Sequence, residues 1–232
     1  MADIDIWLAP ANVSDETLDR ERELLDDEER ARAARFRFRA DRARSIVARA
    51  TLRRLLGRYL SRDPRDLRFT AGPAGKPELD GRELHFNVSH SHDRVAIAVT
   101  THTPIGIDIE HEHPMRDLDH LATRFFAPSE AATVHGDPTR FFALWTAKES
   151  VIKALGDGLS LGLASFETHP IPTRFTHVTN LTANPRLDGW SVLALPPTAD
   201  GYHCAVCTRG DGWEVGVRVM GREPLAGPFW MP

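Results

Sequence analysis

Three acidic side chains and one basic one stand at spacings that could do chemistry together. Asp108 and Glu110 occupy alternate positions of IGIDIEH (105–111), and Glu149 and Lys153 lie four apart in FFALWTAKESVIKALGDGLS (141–160). Alternation along a strand puts Ile105, Ile107 and Ile109 on one face and Gly106, Asp108 and Glu110 on the other. Two carboxylates side by side repel unless they are solvated or neutralised. For this segment alone, a half-buried strand with one wet face explains the pattern equally well. If Glu149 comes across a cleft to join them, the three form an all-oxygen set with no sulfur or imidazole. Such a set suits Mg²⁺, which keeps several waters and usually shares a phosphate with its substrate.

The segment carrying Glu149 reads as an amphipathic helix with an apolar stripe of Phe141, Leu144, Trp145, Ile152 and Leu155. Glu149 and Lys153 share one helix face, either as a surface ion pair or as the lining of a cleft. Trp145, one turn earlier beside the stripe, favours the cleft. Lys148 falls inside the stripe, where it must snorkel outward or position a neighbour, and a supporting role is expected.

The elements able to face this site are basic. Fourteen arginines fall between residues 30 and 68, although the 232-residue chain carries a net charge of -4. Only Lys76, Lys148 and Lys153 are lysines, so the basic residues are overwhelmingly arginine. A dense arginine stretch suits nucleic acid, a membrane surface or a phosphorylated ligand. In FRFRADRARSIVARATLRR, helical spacing places Arg42, Arg49 and Arg53 on one face, with Arg39 at its approach and Arg44 to the side. Most of these arginines are expected simply to solvate the helix. GPAGKPEL is a turn, and Lys76 on it could contact a phosphate or be a plain surface lysine. HFNVSHSHDRVAIAVT reads as a strand in which Asn87, Ser89 and Ser91 alternate against Phe86 and Val88.

Several chemistries are disfavoured. His85, His90, His92 and His102 fit no common zinc spacing and have no cysteine nearby. There is no G-x-S-x-G elbow for a serine nucleophile. Cys204 and Cys207 lie three apart in YHCAVCT, a strand that would turn them to opposite faces as buried small residues in a reducing cytosol. Neither a signal peptide nor a membrane span is visible, so a cytoplasmic protein is expected. The closing EPLAGPFWMP would pack Phe229 and Trp230 onto a neighbouring surface.

The chain also resembles itself. ARATLRRLLGRYLS (48–61) aligns without gaps to AKESVIKALGDGLS (147–160), followed in each case by a short strand, DLRFT or ASFET. Further on, RVAIAVT resembles YHCAVCT, and IGIDI resembles VGVRV. Four pairs in the same order imply an α+β fold made by pseudo-twofold duplication of a helix-plus-antiparallel-sheet unit. The expected halves are residues 1–104 and 105–232, with a cleft between them. In this alignment Asp108 pairs with Arg218 and Glu149 with Ala50, so acids stand on one side only, as a single metal would require.

GKPEL, FNVSHS, IGIDIE, RFFAPSE and WTAKESVIKALGDGLS follow, in order, the signature blocks of 4′-phosphopantetheinyl transferases, and the chain resembles the monomeric two-half, surfactin-synthetase-activating type of that family. The resemblance covers about residues 36–160. It implies that Asp108, Glu110 and Glu149 bind Mg²⁺. Lys76, Ser89 and His90 would hold the adenosine and 3′-phosphate end of coenzyme A, and Lys153 would contact the pyrophosphate. Arg39, Arg44 and Arg49 would contact phosphates; where the family often has lysine near position 39, this chain has arginine. Glu149 would accept a proton from a carrier serine. The implied partners are apo acyl or peptidyl carrier proteins, with no nucleic acid and no membrane. An arginine-rich RNA-binding protein and a catalytically silent coenzyme A-binding module are the competing readings. The negative net charge and only two tyrosines count against the first. The intact acidic set counts against the second.

Overall fold

The computed structural model describes residues 2–72, 75–156 and 161–221. The expected tail contacts of Phe229 and Trp230 lie outside the described residues. In chain order the main elements are β1 (Ile4–Pro10), α1 (Asp15–Arg22), α2 (Asp27–Ala34), α3 (Arg39–Leu60), β2 (Phe69–Ala71), β3 (Pro77–Leu79), β4 (His85–Ser91), β5 (Arg94–Thr100) and β6 (Ile105–His111). There follow α4 (Leu118–Phe125), α5 (Pro128–Val134), α6 (Pro138–Leu155), β7 (Phe166–Glu167), β8 (Phe175–His177), β9 (Thr179–Asn180), β10 (Trp190–Ala194), β11 (Tyr202–Arg209) and β12 (Val215–Val219). The fold is α+β.

Two four-stranded sheets carry the architecture, ordered β12-β1-β5-β4 and β6-β11-β10-β8. Their inner faces meet in one apolar cluster, with Ile4, Ile6, Ala96 and Ala98 from the first sheet and Ile105, Ile107, Ile109, Cys204 and Val206 from the second. Helix α3 covers the outer face of the first sheet through Leu52, Leu55 and Leu56 on Phe86, Val95, Ile97 and Val99. Helix α6 covers the second through Ala147, Val151 and Ala154 on Val192, Ala205 and Cys207. The layers are thus helix, sheet, sheet, helix, and each fully buried leucine contributes about 1.5–3 kcal/mol by leaving water. Cys204 and Cys207 fall on opposite faces of β11, buried in two different clusters.

The chain passes from the first sheet to the second between β5 and β6, but it does not stay there. β12 returns to pair in parallel with β1, Ile4 opposite Val215. A division at residue 104 therefore leaves the first sheet without its outer strand. The strand correspondences also change. Trp7 stands opposite Ile97 on β5, and Asp108 stands opposite Ala205 on β11. Laying RVAIAVT on YHCAVCT then makes β1 the counterpart of β6, and Trp7 the counterpart of Asp108 in place of Arg218. The pattern IGIDI/VGVRV misled because both are short alternating strands. Arg218 instead pairs with the buried Asp5, whose other oxygen accepts from Tyr59 Oη at 2.7 Å, and so fastens β12 to β1.

Candidate active site

β6 is paired to β11 along one edge only. Its other edge would be a row of unmet backbone groups, which folded proteins cover or cap. Here side chains from β4 and from the β2–β3 hairpin replace a strand. Ile107 N donates to Asn87 Oδ1 at 2.8 Å, His111 N donates to Ser91 Oγ at 3.1 Å, and Ile105 O accepts from Lys76 Nζ at 2.8 Å. The same stripe on β4 reaches the carboxylates: Ser89 Oγ donates to Asp108 Oδ1 at 2.8 Å and Ser91 Oγ to Glu110 Oε2 at 2.7 Å. The alternation of Asn87, Ser89 and Ser91 is a polar zipper that joins the two sheets and aims both acids.

From the other side comes α6. It starts on Pro138, with Asp137 Oδ1 accepting from Thr139 N at 2.9 Å, and stops at Gly156 in the left-handed region at φ 70°. It lies so close to β6 that a Cβ on Gly106 would sit 2.1 Å from Ser150 O and 2.3 Å from Ala154 N. Glycine is required for the approach. Lys153 Nζ then donates to Asp108 Oδ1 at 2.6 Å and to Ser89 Oγ at 2.9 Å. Among the described residues Lys153 makes no ion pair with Glu149; its partner is Asp108, so the spacing of four does not produce the expected pair.

Asp108 is 2% exposed, and its Oδ2 has no hydrogen-bond partner. Burial, and then the charge of Asp108, push both Glu110 and Glu149 above the ordinary carboxylate range, while Lys153 pulls each back. These are carboxylates short of positive charge. Among the described residues no three His, Cys, Asp or Glu side chains are already drawn to a common metal-binding point. The residues nonetheless fit a hard divalent cation: the donors are all oxygen, and a buried carboxylate oxygen is unmet beside two acids held high.

Lys148 neither snorkels nor lines the cleft. It is wholly buried, donating to Leu163 O at 2.8 Å and Phe166 O at 2.6 Å, with Glu130 Oε2 at 2.7 Å. Glu130 also accepts from Ala127 N at 3.0 Å and Thr168 N at 2.7 Å. The pair ties α5, α6 and residues 163–168 together. Trp145 likewise does not mark a cleft; its ring stacks on Phe141 at 5.9 Å and meets Phe125 edge-on.

Five arginines of α3, Arg39, Arg44, Arg49, Arg53 and Arg54, pair with acids of the same chain, whereas Arg42 donates to Phe36 O at 3.2 Å. Arg53 is fully buried, bonded to Glu29 and Asp26 at 2.7 Å each and to Pro64 O and Leu67 O, so it belongs to the core rather than to a phosphate-binding face. Arg49 pairs with Glu29 and lies over the Phe69 ring at 4.2 Å. Arg39 pairs with Asp15, and Arg44 with Asp41 and His92 O. A cavity of about 290 Å³ beside α3 is lined by Arg32, Ser45, Arg49, Pro77, Val88 and His90. It brings Arg49 and His90 together and adds Arg32 and Ser45, which sequence reasoning passed over; the only signal was a basic residue and a hydroxyl flanking the expected arginines. Desolvation lowers the pKa of His90 although its edge is open to solvent. Lys76 is elsewhere: besides Ile105 O it donates to Lys153 O at 2.7 Å, and burial lowers its pKa to about 8. A second cavity, about 350 Å³, touches Lys76, Arg82, His85, Leu155 and Trp190 but none of the three acids, so its size does not mark a reaction centre.

Two packed sheets, with an acid strand wedged between a polar zipper and a lysine-bearing helix, match a known sequence family across both halves. The family model of the 4′-phosphopantetheinyl transferase superfamily matches residues 104–207, and that of the 4′-phosphopantetheinyl transferase N-terminal region matches residues 12–102. The chain belongs to the 4′-phosphopantetheinyl transferase superfamily and is a transferase of that class. It is 36% identical over 221 residues to 4′-phosphopantetheinyl transferase HetI of Nostoc sp., covering 91% of this chain and 90% of that one. It is 34% identical to 4′-phosphopantetheinyl transferase psf-1 of Bacillus pumilus over 78% of each chain. With 4′-phosphopantetheinyl transferase Sfp of Bacillus subtilis it shares 36% over 160 residues, 66% of this chain and 70% of that one.

Proposed function

We infer that the protein transfers 4′-phosphopantetheine from coenzyme A to a serine hydroxyl of an apo acyl or peptidyl carrier protein, releasing 3′,5′-ADP, with Mg²⁺ as its metal. The observation that carries the reading is Asp108: buried, half-satisfied, and flanked by two acids whose charge nothing fully offsets. Asp108, Glu110 and Glu149 would hold the ion, which when bound neutralises charge on the pyrophosphate as phosphoryl transfer requires.

The chain's own groups supply the rest. Arg32, Arg49, Ser45 and His90 receive the phosphorylated adenosine end in their cavity, while Ser89 faces the other way, onto Asp108 and Lys153. Arg39 and Arg44 add phosphate contacts by exchanging Asp15 and Asp41; the first of these pairs is exposed and holds weakly. Lys153 moves its ammonium from Asp108 to the pyrophosphate, where it stabilises the leaving group. Glu149, with its raised proton affinity, accepts the serine proton as the serine oxygen bonds to the β-phosphorus and the bond to 3′,5′-ADP breaks.

The commitment of Arg53 and Arg54 to acids of α2 and α1 takes two of the helix's arginines away from any RNA-binding face. The reading includes a monomer acting in the cytoplasm, formed by ancient duplication; among the described residues no helix is long and apolar enough to cross a membrane. Incubating the protein with coenzyme A, Mg²⁺ and a panel of apo carriers tests it by mass spectrometry. At least one carrier should gain phosphopantetheine, and no gain on any would end the proposal.

A further inference from the structure

We propose that Lys76 is a positioning residue: its ammonium is a strut between the two halves that sets where Lys153 stands, and it does not bind coenzyme A. This deepens the transferase reading and rests on it for its catalytic part.

Lys76 leaves the separate two-stranded β2–β3 hairpin, where Gly75 stands at φ 79° and Gly72 N donates to Lys76 O at 2.7 Å. Its Nζ crosses to the second half and donates to Ile105 O at 2.8 Å and to Lys153 O at 2.7 Å. These two carbonyls belong to different elements. Ile105 opens β6, three residues before Asp108; Lys153 lies in the last turn of α6, where carbonyls lack intrahelical donors and a cation is favoured. One ammonium therefore spans strand, helix and hairpin.

The contact to Lys153 is to the backbone of the residue whose side chain bonds Asp108 Oδ1 and Ser89 Oγ. Gly106 already brings α6 and β6 into backbone contact, so a small slip of α6 along the strand would carry Lys153 away from Asp108. Lys76 blocks that slip at the helix end, where Gly156 ends the intrahelical bonding with its N–H on Ile152 O at 3.1 Å. Two of its three N–H groups are used in this way, and Lys76 does not line the cavity that holds Arg32, Arg49 and His90 but the other one, beside Arg82, His85 and Leu155. Arg82, in the turn after β3, could not substitute: it is exposed and turned to Glu78.

Lys76→Met keeps the length of the side chain and removes the donors. In this variant, amide exchange at Gly156 and at the start of β6 should accelerate about tenfold or more, the scale expected for losing charged hydrogen bonds. This readout needs neither coenzyme A nor a carrier, so it stands whether or not the transfer reading does. For transfer, kcat should fall about 10²-fold, as for a catalytic group displaced by an ångström, while KM for coenzyme A changes less than about threefold. Unchanged exchange, or a KM rise of about tenfold with kcat retained, overturns the proposal, the latter by making Lys76 a substrate contact. Should Lys76→Met fail to fold, the ¹⁵N signal of the Lys76 ammonium in the wild-type protein decides instead. It should hold its position on addition of coenzyme A, and a shift to a phosphate-bonded state overturns the strut.

Discussion

Lys148 and Glu130 meet 2.7 Å apart with neither side chain open to water. Each is satisfied three ways or more, the lysine by two carbonyls and the carboxylate, the glutamate by two backbone amides as well. Removing one partner strands a buried charge. Lys148→Ala should lose about 3–5 kcal/mol in urea unfolding, and Lys148→Met combined with Glu130→Gln should recover part of that loss. An exposed-pair value below about 1 kcal/mol for Lys148→Ala would show that the pair is wet.

Gly106→Ala places a methyl group against the backbone of α6, with contacts of 2.1 and 2.3 Å that no side-chain rotation can relieve. Helix and strand must separate, at about 1–3 kcal/mol or more. Because β6 carries Asp108 and Glu110, kcat should fall further than the loss of stability alone would explain. Thermal unfolding and steady-state kinetics on the same preparation check both.

Asp108→Asn keeps the shape of a buried side chain and removes the charge that Lys153 answers. The melting temperature should change little, while carrier modification should fall by roughly 10²–10³-fold, the range for losing one preorganised electrostatic group. Mn²⁺ binding, followed by its electron spin resonance signal, should be lost in parallel. Normal Mn²⁺ binding would remove Asp108 from the metal set.

The raised proton affinity of Glu110 and Glu149 has a direction. Each binds a proton more readily folded than unfolded, so the stability they contribute is complete below the unfolded value of 4.5 and is lost as pH rises through their folded values. A divalent ion relieves that loss. Added Mg²⁺ should therefore raise the melting temperature at neutral pH and do so less as acid reprotonates the pair, and transfer should fade on the acid side over the same range. A Mg²⁺ effect that grows toward low pH would contradict the assignment.

Much of the site could be read from local spacing because its parts are local. Alternation alone put Asp108 and Glu110 on the face away from Ile105, Ile107 and Ile109, and it set Cys204 against Cys207. What escaped was every feature whose partner is distant in the chain. Lys148 looked misplaced until Glu130, on another helix, was seen beside it. Arg53 looked like part of a basic helix face because Glu29 and Asp26, which enclose it, sit beyond a turn. Asn87, Ser89 and Ser91 showed a stripe but not its target, since that target is the backbone edge of a strand in the other sheet. The sequence likeness of β6 to β12 concealed that β12 pairs with β1, because short apolar alternation says nothing about which neighbour a strand takes.

That last pairing sets an order of events during synthesis. β1 is made long before β12, so one of its edges waits, unzipped and prone to join other chains, until its late partner has been made and can dock. Chains cut before residue 215 lack that partner strand and should aggregate rather than persist as small folded units.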